Sequence, residues 1–276
     1  MLKALLTRAR QGHRTMRYPR AAPPALPAHF RGAPQIDPTR CPDGCHACAD
    51  ACPTSAIRIT GDTVALDLGR CIFCPECETA CPEEAIAFSD DYRLATRARE
   101  DLHLGPGEEL KLAGALDRKL RRLLGRSLKL RVVSAGDCNG CAADVNVLGT
   151  IGWDIGRFGI QYVASPRHAD GIIVMGPIPE NMRLAVQKTY DAIPAPKIVI
   201  AIGACAISGG IYAGHPEQHD GVAGMLPVDL FIPGCPPHPL TILDGLLRLL
   251  GRAEREGRFF KRSGAGTGGG LGVRRP

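Results

Sequence analysis

The chain has 276 residues, of which 45% are hydrophobic and 5% aromatic, so it is long enough for two domains with largely aliphatic cores. Its twelve cysteines do not fit a short secreted disulfide framework, which favours a reducing compartment. No signal peptide is recognisable, and the longest apolar run, near residues 198–207, is about half of a membrane span. We therefore expect a soluble or peripheral protein.

The net charge of +6 is unevenly distributed along the chain. Residues 41–90 carry nine acidic side chains against two arginines, whereas residues 1–40 carry eight basic side chains against one aspartate. A basic arm beside an acidic module indicates binding to an anionic surface or partner. We expect no nucleic acid partner, because neither stacking aromatics nor a nucleic-acid motif accompanies the charges.

Residues 1–40 are predicted to form a basic N-terminal arm. Leu2, Leu5 and Leu6 would share one face of a short helix that also carries basic side chains. Such a helix can lie on a membrane surface or dock on a partner subunit, and both interpretations stay open for residues 1–20. The proline, alanine and arginine content of residues 18–38 predicts an extended segment.

Residues 41–90 contain two cysteine runs, each followed by proline, of the kind that holds two [4Fe–4S] clusters in ferredoxins. In such runs three thiolates bind one cluster and the fourth reaches the other. One cluster is therefore assigned to Cys41, Cys45, Cys48 and Cys81. The other is assigned to Cys71, Cys74, Cys77 and Cys52.

An internal repeat supports this assignment. A shift of 29 residues superposes three cysteines and the following proline of the first run on their counterparts. Only Cys41 does not superpose on its counterpart, because the first run begins C-x3-C and the second C-x2-C. Whether Cys41 ligates normally therefore stays open. Zinc sites use more widely separated cysteine pairs, and disulfides would require an oxidising compartment.

The rest of the chain divides into a linker, a second domain and a tail. Residues 91–127 are predicted to be a polar linker with a basic helix, and residues 252–276 a flexible basic tail. Residues 128–251 alternate strands and helices, which is typical of a flavodoxin-like parallel sheet. The predicted strands are 128–133, 171–175, 197–202 and 228–232, and the predicted helices 144–149, 180–192 and 239–250.

The remaining four cysteines each lie just after a predicted strand. They are Cys138, Cys141, Cys205 and Cys235. Because the carboxyl ends of parallel strands meet at one edge of a sheet, these thiols are expected to converge. Four convergent thiols predict a third [4Fe–4S] cluster; buried apolar cysteines or a zinc site are the alternatives.

These segments resemble the small subunit of membrane-bound [NiFe] hydrogenases of the formate-hydrogenlyase type and the homologous 20 kDa subunit of respiratory complex I. The resemblance rests on Asp137–Cys141, Ala164–Gly171, Gly176-Pro177, Gly203–Cys205 and Pro233–Pro237. Residues 1–90 resemble the ferredoxin subunit of the same complexes, including Arg17–Pro19 and Phe30–Gly32, so two usually separate subunits are fused here.

The resemblance implies an α/β electron-transfer subunit with three [4Fe–4S] clusters and no catalytic residue of its own. Its partners would be a catalytic large subunit and membrane-arm subunits, at the inner, cytoplasmic face of the cell membrane. Complex I relatives carry two adjacent cysteines at this position, whereas here two residues separate Cys138 from Cys141. This spacing favours resemblance to the hydrogenase subunits. The alternatives are a complex-I-like quinone oxidoreductase or nickel-free relative, a stand-alone ferredoxin-type carrier, and a zinc-bound module.

Asp144 stands where relatives carry a glutamate, which implies a proton relay at the large-subunit interface. The alternative is an acid placed at a helix N-terminus, where the helix dipole favours it. His215 and His219 are predicted to be surface loop residues, with an interface proton relay as the alternative.

Overall fold

A computed structural model describes residues 2–12, 14–61 and 63–253 of the chain. Nearly all of the predicted C-terminal tail lies outside the described residues. None of the helices in the described part is long and apolar enough to cross a membrane.

The N-terminal part consists of a helix, an arm and a small α+β module. Strand β1 at the end of the arm pairs antiparallel with β4, whereas β2, β3 and β5 form a separate antiparallel sheet. The helices are α1 (Leu2–Gln11), α2 (Ala47–Asp50) and α3 (Glu76–Ala80). The strands are β1 (Pro34–Ile36), β2 (Ile57–Thr60), β3 (Thr63–Asp67), β4 (Ile86–Phe88) and β5 (His103–Leu104).

The C-terminal part is a five-stranded parallel sheet, as the sequence predicts. Its strands are β6 (Leu128–Ser134), β7 (Ile160–Tyr162), β8 (Gly171–Met175), β9 (Ile198–Ile202) and β10 (Leu230–Ile232). The helices are α4 (Arg118–Leu124), α5 (Gly140–Val147), α6 (Glu180–Asp191), α7 (Ala204–Ser208) and α8 (Pro239–Leu249). The spatial order β7-β6-β8-β9-β10 is the flavodoxin-like order.

Two hydrophobic cores lie on the two faces of this sheet. Along β8, Ile173 and Met175 contact one core with α5 and α8, while Ile172 and Val174 contact the other. This alternation follows from the two-residue period of a strand. The second core also contains Leu66 and other buried residues of the small module, so the two parts of the chain are joined through shared apolar packing.

The segment 91–127 packs against both the small module and the sheet domain. Leu94, Leu102 and Leu116 are almost fully buried. Thr96 forms an antiparallel bridge with Phe231, which adds a backbone contact at the β10 edge. The division of the chain at residues 41–90, 91–127 and 128–251 stays a prediction.

The N-terminal arm is anchored on α8. The hydroxyl of Tyr18 donates to Oδ1 of the buried Asp244 at 3.0 Å, and Nε of Arg248 donates to its Oδ2 at 2.6 Å. Further along the arm, the ring of Phe30 meets His238 edge to face at 5.6 Å. Both arm motifs of the family resemblance therefore lie against the sheet domain.

Replacing Tyr18 with phenylalanine is expected to lower the free energy of unfolding by about 1–2 kcal/mol, because Oδ1 of Asp244 stays buried without its donor. The arm should then be cleaved faster by protease between residues 19 and 30. Denaturant unfolding and limited proteolysis measure both effects. The exposed Tyr212→Phe is the control, and equal behaviour of the two variants would contradict this anchoring.

Candidate iron–sulfur centres

The structure brings the first predicted set of four cysteines together. Burial, followed by the charges of Cys81 and Cys45, raises the pKa of Cys41. The pKa of Cys48 is also raised, by burial and by the charges of Cys41 and Cys45. The extra residue in the first run therefore does not carry Cys41 away from its set, although its ligation stays a prediction.

The second set lines one small pocket. Cys52, Cys71, Cys74 and Cys77 all face it, together with apolar side chains such as Ile57 and Leu66. Burial is the largest cause of the high thiol pKa values, about 12 for Cys71 and about 11 for Cys77, and neighbouring cysteines add to it. Cluster ligands are thiolates, so binding of a cluster would release protons from thiols with a raised pKa.

The sequence repeat extends to the backbone of the two runs. Ser55 and Glu84 are 29 residues apart, and both adopt a left-handed conformation, with φ of 50° and 49°. Each lets the next amide turn back to a cysteine: Ala56 donates to Sγ of Cys52 and Ala85 to Sγ of Cys81, both at 3.2 Å. Such N–H···S hydrogen bonds tune cluster potentials. Because neither residue is glycine, the sequence gives no signal of this geometry.

The third set lies at the carboxyl edge of the parallel sheet. Cys138 follows β6, Cys141 lies on α5, Cys205 on α7 and Cys235 follows β10. Cys138 and Cys235 are exposed and Cys141 is buried, so the set opens to the surface on one side.

Gly203 makes the close approach in this set possible. Its φ is +89°, and a Cβ at this position would lie 2.5 Å from Sγ of Cys141. A side chain would therefore collide with the sulfur in a backbone conformation that L residues avoid.

The thiols of the third set influence one another. Burial raises the pKa of Cys141, and the charges of Cys235 and Cys205 raise it further. Burial likewise raises the pKa of Cys205 to about 11, with contributions from Cys235 and Cys138. All twelve cysteines are free of disulfides, and four convergent thiols are a donor set that fits a [4Fe–4S] cluster.

Asp137 contributes to the electrostatics of the third set, which its position in the sequence motif does not reveal. Its charge contributes to the raised pKa values of Cys141 and Cys205, after burial and the neighbouring thiols. Its Oδ2 is buried without a hydrogen-bond partner. A carboxylate next to four sulfurs adds negative charge at this site, which would favour the oxidised state of a redox group bound there.

The second and third sets are neighbours. Burial and the charge of Cys138 raise the pKa of Cys235, and the charge of Cys74 in the second set also contributes. Ile72 and Phe73, which lie between Cys71 and Cys74, line the same pocket as Cys235. The loop of the second set therefore lies directly beside the loop of the third.

Asp144 lies in the second turn of α5, because this helix begins at Gly140 and not at Asp144 as predicted. The helix dipole acts mainly in the first turn, so it does not explain the position of this carboxylate. Burial raises the pKa of Asp144, which faces a pocket that is also lined by Phe30 and His238. Its role as a proton relay stays a prediction.

His215 and His219 lie in the loop between α7 and β10 and make local contacts. Nδ1 of His215 accepts from the amide of Glu217 at 3.2 Å. Nε2 of His219 lies 2.5 Å from Oε2 of Glu180. Neither contact involves a cysteine set.

An ion cluster joins the segment after the small module to the cysteine run. Arg99 donates to both carboxylate oxygens of Asp67, at 2.8 and 2.6 Å, and His103 lies 3.2 Å away. Oδ1 of Asp67 also accepts from the amide of Gly69, two residues before Cys71. Burial would raise the pKa of Asp67, but the hydrogen bonds and charge of Arg99, with His103, outweigh it and lower the pKa.

Replacing Arg99 with methionine is therefore expected to cost about 2–3 kcal/mol of unfolding free energy, since the buried carboxylate loses its main partner. Because the pKa of Asp67 is lower in the folded than in the unfolded protein, its ionisation stabilises the folded state at pH values above the unfolded pKa of about 4. This contribution disappears as the pH falls through the folded pKa. The difference in unfolding free energy between wild type and variant should thus be largest near neutral pH and shrink below about pH 4. Urea unfolding across this pH range measures the difference, and Arg58→Met at an exposed position is the control. A difference in unfolding free energy that does not change with pH would contradict the ion pair.

Two family models match the chain. Residues 138–249 match the model described as NADH ubiquinone oxidoreductase, 20 Kd subunit, and residues 40–85 match the 4Fe-4S dicluster domain. The chain is 41% identical over 132 residues to the probable membrane-bound hydrogenase subunit mbhJ of Pyrococcus furiosus, covering 48% of this chain and 79% of that protein. The chain belongs to the family of the 20 kDa subunit of NADH ubiquinone oxidoreductase.

The chain is also similar to a second curated protein and to a chain of a solved structure. An NADH-quinone oxidoreductase subunit of Citrifermentans bemidjiense is 41% identical over 134 residues, covering 49% of this chain and 75% of that protein. A chain in the structure of a membrane-bound sulfane sulfur reductase, an archaeal respiratory membrane complex, is 30% identical with a TM-score of 0.43, covering 51% of this chain and 77% of its own length.

Membership in this family confirms the predicted class, an oxidoreductase subunit with an electron-transfer role. The match at residues 40–85 confirms that the module is an iron–sulfur domain. The predicted fold, a flavodoxin-like sheet preceded by this module, is likewise confirmed.

Proposed function

We propose that this chain is the electron-transfer subunit of a membrane-associated [NiFe]-hydrogenase-like complex and holds three [4Fe–4S] clusters. When bound, the clusters supply one-electron oxidation and reduction. The residues of the chain position the clusters, provide their thiolates and tune their potentials. Three convergent sets of four free cysteines support the number of clusters.

The observation that carries this proposal is the adjacency of the second and third sets, since Ile72 and Phe73, between Cys71 and Cys74, line the same pocket as Cys235. In this proposal the first set, Cys41, Cys45, Cys48 and Cys81, is the one more distant from the third set. The sets then form a row, with the third set nearest the catalytic partner and the first set nearest an external redox partner. Shared apolar packing between the two parts of the chain would keep this row fixed.

The catalytic large subunit is expected to cover the exposed side of the third set. Cys138 and Cys235 are exposed there, and a cluster held by them would otherwise be open to solvent. The spacing of Cys138 and Cys141 supports a hydrogenase-type partner, since two residues separate these cysteines. Membrane-arm subunits and a position at the inner face of the membrane belong to the same proposal, and exposed leucines on α1 support peripheral membrane contact.

A complex-I-like quinone oxidoreductase is the second candidate. It is favoured by the NADH-quinone oxidoreductase relatives, which are as similar to this chain as the hydrogenase subunit is. Anaerobic purification of the native complex, followed by nickel analysis and assays of hydrogen evolution and quinone reduction, separates the two. Nickel with hydrogen evolution supports the hydrogenase assignment. Quinone reduction without nickel would contradict it and leave the electron-transfer role in place.

A further inference from the structure

A pocket lined by arginines lies at the edge of the sheet opposite the third cysteine set. It is formed by α4, the turn before β6 and the end of α8, and its lining includes Arg118, Arg121, Arg122, Arg126 and Arg252. A helix that follows a parallel strand runs back across the sheet, so the end of α8 and the start of β6 share the amino edge. The pocket is thus separate from the sites described above.

The positive charge of this pocket has no counterpart in the described part of the chain. None of its five arginines forms an ion pair with a described carboxylate, and Nε of Arg121 is buried without a hydrogen-bond partner. Arg252 is held in place because it donates to the carbonyls of Gly125 and Phe158. Clustered guanidinium groups with free donors are the usual recognition elements for phosphate.

Exposed apolar side chains accompany this charge. Leu123 on α4 is 55% exposed, and Ile151 is 70% exposed. A series of contacts connects Arg252 of the pocket with Ile151. Arg252 contacts the carbonyl of Phe158, and the guanidinium of Arg157 lies 4.6 Å from the Phe158 ring and donates to the carbonyl of Tyr18. The arm then reaches the carbonyl of Ile151 through the hydroxyl of Thr15 at 2.9 Å.

We propose that the arginine pocket binds the phosphate of an anionic phospholipid headgroup, while the exposed Leu123 on α4 contacts the acyl boundary. A membrane surface supplies both negative charge and apolar contact, whereas a free phosphate would use the arginines alone. This inference deepens the proposed peripheral membrane association and rests on it. In this proposal, α4 and the end of α8 contact the membrane surface in addition to residues 1–20.

The test is flotation of the cluster-loaded full chain with vesicles of phosphatidylcholine alone or with one-third phosphatidylglycerol. The double variant Arg121→Gln/Arg122→Gln is compared with Arg58→Gln/Arg167→Gln, which removes the same charge from exposed positions elsewhere. We expect the pocket variant to bind anionic vesicles roughly tenfold to thirtyfold more weakly, and the control pair to bind nearly as well as wild type. The single variant Arg122→Gln at an exposed side chain repeats the test with less risk to folding.

Iron content and EPR spectra are measured on every variant, which separates this proposal from the electron-transfer role. Unchanged iron with weakened vesicle binding supports the lipid site. Equal losses in the pocket and control pairs would overturn it, since only overall charge would then matter. Stabilisation by inorganic phosphate that needs Arg121, without vesicle binding, would also overturn it in favour of a free anion.

Discussion

Replacing Cys235 with alanine is expected to reduce the iron content from about twelve to about eight atoms per chain and to stop electron transfer to the large subunit. Cys235 is one of the exposed cysteines of the third set and lines a pocket together with Ile72 and Phe73 of the second set's loop. Its loss should therefore interrupt the row of sets at its connection to the partner. Iron analysis and reduction of the purified complex by an artificial donor measure the two effects.

The matched variant is Cys41→Ala in the first set. It should lose a similar amount of iron, but an artificial donor should still reduce the second and third clusters, because Cys41 lies at the far end of the proposed row. EPR distinguishes which signals disappear in each variant. If Cys235→Ala retained full iron, or if both variants blocked the same signals, the assignment of the third set would be wrong.

Replacing Gly203 with alanine is expected to remove the third cluster and leave the other two. The new Cβ would lie 2.5 Å from Sγ of Cys141, so that thiol must move, and the positive φ adds about 1–2 kcal/mol of strain. Because cluster ligands tolerate little displacement, the iron content should fall by about a third. Iron analysis together with thermal unfolding measures the result.

Gly214→Ala is the control for backbone strain alone. Gly214 has a similar φ of +80°, but a Cβ there meets nothing within 4 Å. The Gly214→Ala variant should lose a comparable amount of unfolding free energy and keep its full iron content. Equal iron loss in both variants would show that strain in this part of the chain, and not contact with Cys141, controls the site.

The cysteine sets were predictable because ligand chemistry fixes residue type and spacing. The 29-residue repeat identifies the first two sets, and the position of Cys138, Cys205 and Cys235 after buried strands places the third. Strands β8 and β9 were also predictable, since they are uninterrupted apolar runs buried on both faces. Residue type, spacing and apolar runs in the sequence are enough to predict these features.

Other features depend on contacts that the sequence does not display. Strand β7 and helix α7 are only three and five residues long, and both were missed; the equally short β10 was predicted because it is apolar and fully buried, whereas β7 contains the exposed Gln161. Helix α5 begins four residues before its predicted start, because Asn139 with φ of 70° ends the loop after Cys138. The anchoring of the arm through Tyr18 and Asp244 joins residues 226 positions apart, which no local pattern reveals.

Iron, sulfide and zinc analysis with EPR of the anaerobically purified chain tests the central claim most directly. The account predicts about twelve iron atoms per chain and three reducible [4Fe–4S] signals, two of them coupled because Cys74 and Cys235 are neighbours. About eight iron atoms with zinc or free thiols at the third set would contradict it. In that case the chain could not carry electrons to the edge of the sheet where Cys138 and Cys235 are exposed.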